Sequence, residues 1–317
     1  MKNTIYMMVV AFMLSTYGYS QCACCAGAGA GAANGDFNNG ILTLNKNQFV
    51  IETYTDYRKI NQNLPPVTDV ADDEAPLTSM IIQSLGVRYG VTKSITLSAL
   101  VPYVFLHTNT GNDNGFGDLV VLGTFNVFSK NNFNLALQAG IELPTGIQKN
   151  ANFDNTTVVV GSGSYDPMVG IIVAKSWDKL TLQANALYKQ TTKGFKDNYY
   201  SSIAIQNLSL SYRILGQNAF CSMIKEDKTE EKPKQEVSNL GWAISAGYYG
   251  EWLDKLKEDD VADDNSGYYM GYATVGNNIS YKSWSFPVTV SLPVIQNMNG
   301  EQNTGGFRLR FGIIKSF

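Results

Sequence analysis

An all-β fold, a transmembrane antiparallel β-barrel of about 12 strands behind a cleaved signal peptide, is what this sequence predicts, on three observations. Apolar and polar residues alternate with period two from about residue 48 to the last residue. The connections between the alternating segments are long and short by turns. Charged residues make up only 16% of the chain and it carries 18 Tyr and 29 Gly, yet no apolar run after the first residues approaches the roughly 20 residues that a membrane helix needs. A barrel spreads its apolar signal over every second residue, so it is rich in such residues without ever showing a long run.

The first residues read as an export signal. Lys2 supplies the positive start, Ile5 to Leu14 is a short apolar run, and Ser15 to Gln21 is polar and small, with cleavage expected near Ser20/Gln21. Gln21 is a poor residue before a lipidated Cys22, which disfavours a lipoprotein. The expected organisation is a signal peptide over 1–20, a flexible Cys-, Gly- and Ala-rich periplasmic N-terminus over 21–47, and an outer-membrane barrel over 48–317.

Twelve segments follow. They run Gln48–Ile60, Thr78–Val91, Ser94–His107, Gly117–Ser129, Asn132–Pro144, Tyr165–Trp177, Leu180–Thr192, Tyr200–Leu215, Leu240–Leu253, Tyr268–Ser280, Trp284–Gln296 and Gly306–Phe317. The clearest is Phe133, Leu135, Leu137, Ala139, Ile141 and Leu143, interleaved with Asn134, Ala136, Gln138, Gly140 and Glu142. Segments of this length, tilted, match the hydrocarbon thickness, whereas soluble strands are usually about half as long. An even strand count is what a single-chain bacterial barrel requires.

Short turns fall at 91–94, 129–131, 177–179 and 280–283, and long polar connections at 61–77, 108–116, 146–164, 193–199, 254–267 and 297–305. Outer-membrane barrels have short periplasmic turns and longer external loops, so the two sets mark the two sides. Gly216–Asn239 breaks the pattern, being long, charged and on the periplasmic side. The last segment alternates Phe307, Leu309, Phe311 and Ile313 up to Phe317, the aromatic-ended strand that barrel-assembly machinery reads. The partners expected are therefore that machinery, outer-membrane lipids and a small-molecule solute; a net charge of -3 predicts no attraction to nucleic acid.

If the apolar phase faces lipid, the other phase lines the lumen. That register turns Glu52, Asp56, Arg58, Arg88, Asp118, Gln138, Glu142, Lys189, Arg213, Glu251, Arg308 and Arg310 inward. An Arg or Lys on the lipid face at the midplane costs about 2–4 kcal/mol, which the inward placement avoids. Both signs are present, so these side chains either brace a narrow barrel or select solutes at a polar constriction. Twelve strands lie between the filled eight-stranded barrel and the aqueous sixteen-stranded porin, which suits a small-solute channel.

Two other groups could carry chemistry. Cys22, Cys24 and Cys25 cluster near the mature N-terminus and Cys221 sits in the anomalous periplasmic turn. Placed on one oxidising side, they are candidates for a disulfide or for a soft-metal site such as Cu(I) or Zn(II), although no second C-x-x-C pairs with that of Cys22 and Cys25 and no His is nearby. His107, the only histidine, is the one residue on which an outer-membrane acyl hydrolase could be built, and such an enzyme needs a serine within hydrogen-bond reach. A solvated histidine at the rim is the plainer account. No enzyme activity and no cofactor are expected: Gly115-x-Gly117 is followed by no helix and is not a phosphate loop. Instead Gly115 and Gly117 are expected to take positive φ where a loop enters a strand, and Pro144 and Pro167 to end strand pairing at the rim. Two loops are acidic, through Asp72-Asp73-Glu74 and through Glu258-Asp259-Asp260 with Asp263-Asp264; they could attract Ca²⁺ or bridge lipid headgroups, and solvated loops are the plainer account.

Between residues 89 and 177 an ordered set of short motifs stands out: Tyr89-Gly90-Val91-Thr92-Lys93-Ser94 with Val101-Pro102-Tyr103, Gly115-Phe116-Gly117-Asp118, Glu142-Leu143-Pro144-Thr145-Gly146, and Gly161-Ser162-Gly163-Ser164-Tyr165-Asp166-Pro167 leading to Trp177. In order and spacing this set resembles the outer-membrane family of MetA-pathway phenol-degradation proteins, often called transporters. The resemblance implies a Gram-negative outer-membrane channel for passive uptake of small solutes, of hydrophobic or aromatic character.

Overall fold

The structure, a computed structural model, describes residues 43–61, 77–108, 111–146, 160–216 and 240–317. Its long strands are β1 (Phe49–Asn61), β2 (Leu77–Thr92), β3 (Ile95–Thr108), β5 (Leu119–Lys130), β6 (Phe133–Leu143), β7 (Asp166–Trp177), β8 (Leu180–Lys189), β9 (Ile203–Leu215), β10 (Leu240–Leu253), β13 (Tyr268–Tyr281), β14 (Trp284–Met298) and β15 (Thr304–Ser316). Short extras are β4 (Asn112–Phe116), β11 (Lys257–Glu258) and β12 (Val261–Ala262). Each long strand pairs antiparallel with its sequence neighbours, and β1 pairs with both β2 and β15, so the ring closes with no free edge. Closure satisfies every backbone polar group inside the sheet, which is the condition for crossing hydrocarbon.

All twelve expected segments become strands of the ring. β8 stops at Lys189, short of the expected Thr192, because the next residues leave the ladder for side-chain partners: the Thr191 hydroxyl donates to the Ser201 carbonyl at 2.9 Å and the Thr192 N–H to Asp166 Oδ1 at 2.9 Å. Conversely β4, β11 and β12 lie in stretches expected to be loops. β4 folds back on the top of β3, from Tyr103↔Phe116 to His107↔Asn112, and lengthens the wall at the long-loop end.

The two faces separate cleanly. Leu85, Val87, Leu97, Leu137, Val169, Ile171, Leu208, Leu210, Val275 and Leu292 are exposed on the outer wall, as lipid contact requires. Aromatics frame this apolar belt. Phe49, Tyr89, Trp177, Tyr212, Trp242, Tyr281, Trp284 and Phe317 ring the short-turn end, and Phe105, Phe116, Tyr165, Tyr188, Trp252 and Phe307 the other. These are the two interfacial girdles of an outer-membrane barrel. The short turns use left-handed residues suited to twisted hairpins: Asn131 and Asn132 have φ of 52° and 59°, Asp178 40° and Lys282 53°.

The inner face corrects a simple picture of an outward apolar phase and a polar interior. Met80, Ile82, Val104 and Leu106 pack inside with Val160, and Leu100, Val120, Leu122, Met168 and Leu187 form a second inner patch. A third comprises Tyr200, Ile203, Ile205, Tyr249, Leu253, Leu256, Tyr268, Met270 and Tyr272. At the short-turn end, Leu44, ahead of β1, lies inside against Val50, Tyr54 and Ile314. Much of the lumen is thus filled by side chains, and the polar groups are confined to defined sites. The signal peptide, Cys22, Cys24, Cys25, Cys221 and Asp72-Asp73-Glu74 lie outside the described residues.

Candidate constriction and motif cluster

Of the twelve inward candidates, eleven fall into three groups, and Gln138 belongs to none of the three, its amide donating to the Thr124 hydroxyl at 3.3 Å. Near the short-turn end Arg88 pairs with Glu52 at 3.0 Å. Arg213 also belongs to that end, but at its rim, where its guanidinium donates to the Asp178 carbonyl at 2.9 Å and clamps the β7–β8 turn.

A second group crosses the lumen. In the β1–β15 ladder Arg58 lies directly opposite Arg308, and Asp56 opposite Arg310. Two like charges face to face destabilise a sheet unless a counter-charge joins them. Asp56 does so: its Oδ2 accepts from Arg308 Nη2 at 2.8 Å and from Arg58 Nε and Nη2 at 3.3 Å. Both arginines then reach Glu251 of β10, at 3.5 Å from Arg308 and 3.8 Å from Arg58. β10 lies three strands from β15 and four from β1 around the ring, so these pairs span the interior rather than the wall. Tyr268 and Tyr249 donate their hydroxyls to Glu251 and complete its coordination. The Arg308 guanidinium lies 4.6 Å over the Tyr249 ring and 5.4 Å from that of Tyr272, and Arg310 lies 4.5 Å over Tyr54. Asp56 and Glu251 are 1% and 2% exposed. Their charges are therefore held by this network and not by water.

The third group is built from the ordered motif set itself. Glu142 and Asp166 are cross-strand partners on β6 and β7. Lys189 of β8 joins them, 2.7 Å from Glu142 and 3.7 Å from Asp166, and is fully buried. Beside them Asp118 gathers the loops: Oδ1 accepts from the Gly146 N–H at 2.8 Å, and Oδ2 from the Ser162 N–H and, at 2.7 Å, its hydroxyl. The segment 160–164 is drawn inward, with Val160, Ser162 and Ser164 buried, and the next loop docks on it through Phe195 N–H to the Ser162 carbonyl at 2.9 Å. Gly146 and Gly161 meet back to back: a Cβ on either would come within 2.7 Å of the other's backbone. Neither Gly115 nor Gly117 has the expected positive φ, which falls at Gly163 instead. Gly117 is small because a Cβ there would meet Pro102 at 2.9 Å. Pro167, expected to end pairing, is instead the second residue of β7, paired with Ile141.

His107 sits at the long-loop end of β3, opposite Ser79 in register, with its Nδ1 unpartnered. No hydroxyl is bonded to its imidazole among the described residues. Asp166, Ser162 and the tyrosines 54, 249, 268 and 272 were not among the residues expected from the sequence. The tyrosines share the inward phase of Asp56, Glu251 and their neighbours, and that parity was the signal available.

A family profile described as "Putative MetA-pathway of phenol degradation" matches residues 77–283. The chain belongs to this family. The matched span contains the whole motif cluster and Glu251, and leaves β1, β14 and β15 outside it. Among solved structures, an outer membrane channel from Pseudomonas putida F1 is similar at 14% identity and a TM-score of 0.60, over 90% of this chain and 100% of that one. LpxR from Salmonella typhimurium is similar at 12% identity and a TM-score of 0.44, over 84% and 99%. The KdgM porin is similar at 12% and 0.42, over the same shares. No curated protein matches the chain. At these identities the likeness is one of fold, and this family member is a twelve-stranded barrel of the Gram-negative outer membrane.

Proposed function

We propose that this barrel is a channel for passive passage of small solutes across the outer membrane, with its constriction at Asp56, Arg58, Glu251, Arg308 and Arg310. The observation that carries the reading is that these side chains meet across the lumen. A charge pair that serves only to brace a wall needs no partner three or four strands away. Flanking them, the inner apolar patch of Met80, Ile82, Val104 and Leu106 and the faces of Tyr54, Tyr249 and Tyr272 favour solutes of hydrophobic or aromatic character over large hydrated sugars. The similarity in fold to an outer membrane channel from Pseudomonas putida F1 agrees with this reading.

The competing activity, acyl hydrolysis, has only His107 to rest on. Among the described residues no nucleophile is hydrogen-bonded to its imidazole, and a base without a positioned partner lacks the geometry of nucleophilic catalysis. Purified barrel in planar bilayers should give discrete conductance steps, and liposomes containing it should admit small phenolic solutes faster than disaccharides. His107→Ala should leave both unchanged. A barrel without conductance that hydrolyses phospholipid, and loses that hydrolysis with His107→Ala, would replace the channel with an enzyme.

A further inference from the structure

The constriction is not charge-balanced. Arg58, Arg308 and Arg310 contribute three formal positive charges against two from Asp56 and Glu251. Every salt bridge in the group goes to Arg58 or Arg308, and Arg310 is left over. Its Nε and Nη2 are shut off from solvent with no hydrogen-bond partner, and the Ser209 hydroxyl is in the same state. Buried donors without acceptors are rare in native proteins, because each keeps the cost of losing water with nothing in return. Arg310 and Ser209 come from strands on different walls, β15 and β9, yet both line one cavity of about 70 Å³. Its polar lining also includes Asn207, Ser245, Thr289 and Ser291, together with Asp56 and Arg308. Tyr54, Tyr249 and Pro287 border it with carbon.

We infer that this cavity is a binding site for a small monoanionic carboxylate, held by Arg310 and Ser209 as it passes the constriction. Three features select that chemistry. One unit of excess positive charge calls for one negative charge. Once the Arg310 side chain turns into the cavity, its Nε and Nη2 match the two oxygens of a carboxylate, and such forked pairs are the strong form of charge-assisted hydrogen bond. The cavity leaves room for a carboxylate head whose organic part lies along Tyr54 and Tyr249. Asp56 Oδ1 also lacks a partner and would repel an anion, so the carboxylate sits on the Ser209 side of Arg310. This inference rests on the channel reading and names the charge class of its solute.

Benzoate and its neutral counterpart benzyl alcohol are the probes, titrated by calorimetry into the folded barrel in chloride-free detergent solution. Benzoate should bind saturably at one site per barrel and at least tenfold more tightly than benzyl alcohol. Arg310→Gln should weaken benzoate at least tenfold, Arg310→Lys should weaken it less, and Lys282→Gln, in a distant turn, should bind as the native chain does. Equal binding of the two probes overturns the site, as does full benzoate affinity in a folded Arg310→Gln barrel. The first comparison needs no variant and decides the matter even if Arg310→Gln fails to fold. Conductance without benzoate binding sinks the site and leaves the channel. Benzoate binding without conductance supports the site and sinks the channel.

Discussion

The two buried charge clusters are inverses of one another. On β6 and β7 two carboxylates face each other across a ladder, Glu142 and Asp166, and a lysine from the next strand joins them. On β1 and β15 two arginines face each other, Arg58 and Arg308, and carboxylates join them. The difference lies in where the counter-charge comes from. Lys189 is on the adjacent strand, so the first cluster closes within the wall and ties strands and loops together. Glu251 comes from across the ring, so the second closes over the lumen. One cluster ties strands and loops at the long-loop end, and the other is the one proposed to narrow the path through the barrel. Like charges in register say nothing about function until the origin of their partner is known.

Removing Lys189 should produce the largest effect on stability. Lys189→Met leaves Glu142 and Asp166 buried and unjoined, and breaking a buried pair by deleting one partner costs roughly 3–5 kcal/mol. The folded band on unboiled gels should convert to the unfolded form at clearly lower temperature or urea concentration. Unchanged unfolding would mean that the cluster contributes nothing as a brace. Arg308→Gln should destabilise less, by about 1.5–3 kcal/mol for the charged hydrogen bond to Asp56, because Arg58 still serves both carboxylates. Its main effect should be a larger single-channel conductance. A Lys189→Met barrel that stays folded should show no such increase, and if it did the division of labour between clusters would fail.

Asp118→Asn is a sharper test of the motif cluster. The amide keeps one acceptor of two, so the inward hold on Ser162 weakens while the ring stays intact. Hydrogen exchange should quicken at the Ser162 and Gly146 amides and not in β6 or β7. Uniform exchange changes would show that Asp118 supports the whole fold instead of the loop. The smallest effect is expected at the exposed pair of Lys255 and Asp264. The hydrogen bond and charge of Lys255 hold the Asp264 carboxyl below its ordinary value of 3.8. A depressed folded-state value means that the contribution is complete above pH 4 and is lost as acid takes the pH below it. Asp264→Asn should therefore loosen the loop at neutral pH only as far as acid loosens the native chain, with no change in barrel unfolding.

Most of the fold was legible because one face of every strand must meet lipid. That constraint fixed all twelve strands and their inward phase. It did not reach β4, β11 and β12, whose stretches such as Asn112–Phe116 have no apolar alternation; β4 is held by its ladder to β3 and by Tyr103, whose hydroxyl donates to Asn114 Oδ1 and whose ring meets Phe116 edge-on. It also misjudged the interior, since lipid dictates the outer face and leaves the inner one free to be apolar, as at Ile82 and Val104. The site was legible residue by residue and illegible as an arrangement. Parity placed Asp56, Arg58, Glu251 and Arg308 inside, but Arg58 and Glu251 are separated by most of the chain, and only ring closure brings β1 near the reach of β10. The motif cluster shows the opposite limit: Gly146, Gly161 and Asp118 were noticed as a set, while their purpose, folding 160–164 inward, depends on contacts between loops.

The claim that the cross-lumen cluster is the constriction is tested most directly by the reversal potential of single barrels in a KCl gradient. With a formal charge of +1 at the cluster, the native channel should prefer anions. Arg308→Gln brings the cluster to zero and should move the reversal potential towards zero, and Arg308→Glu brings it to -1 and should reverse its sign. Identical reversal potentials in all three, at measurable conductance, would place the selecting constriction elsewhere and contradict the account.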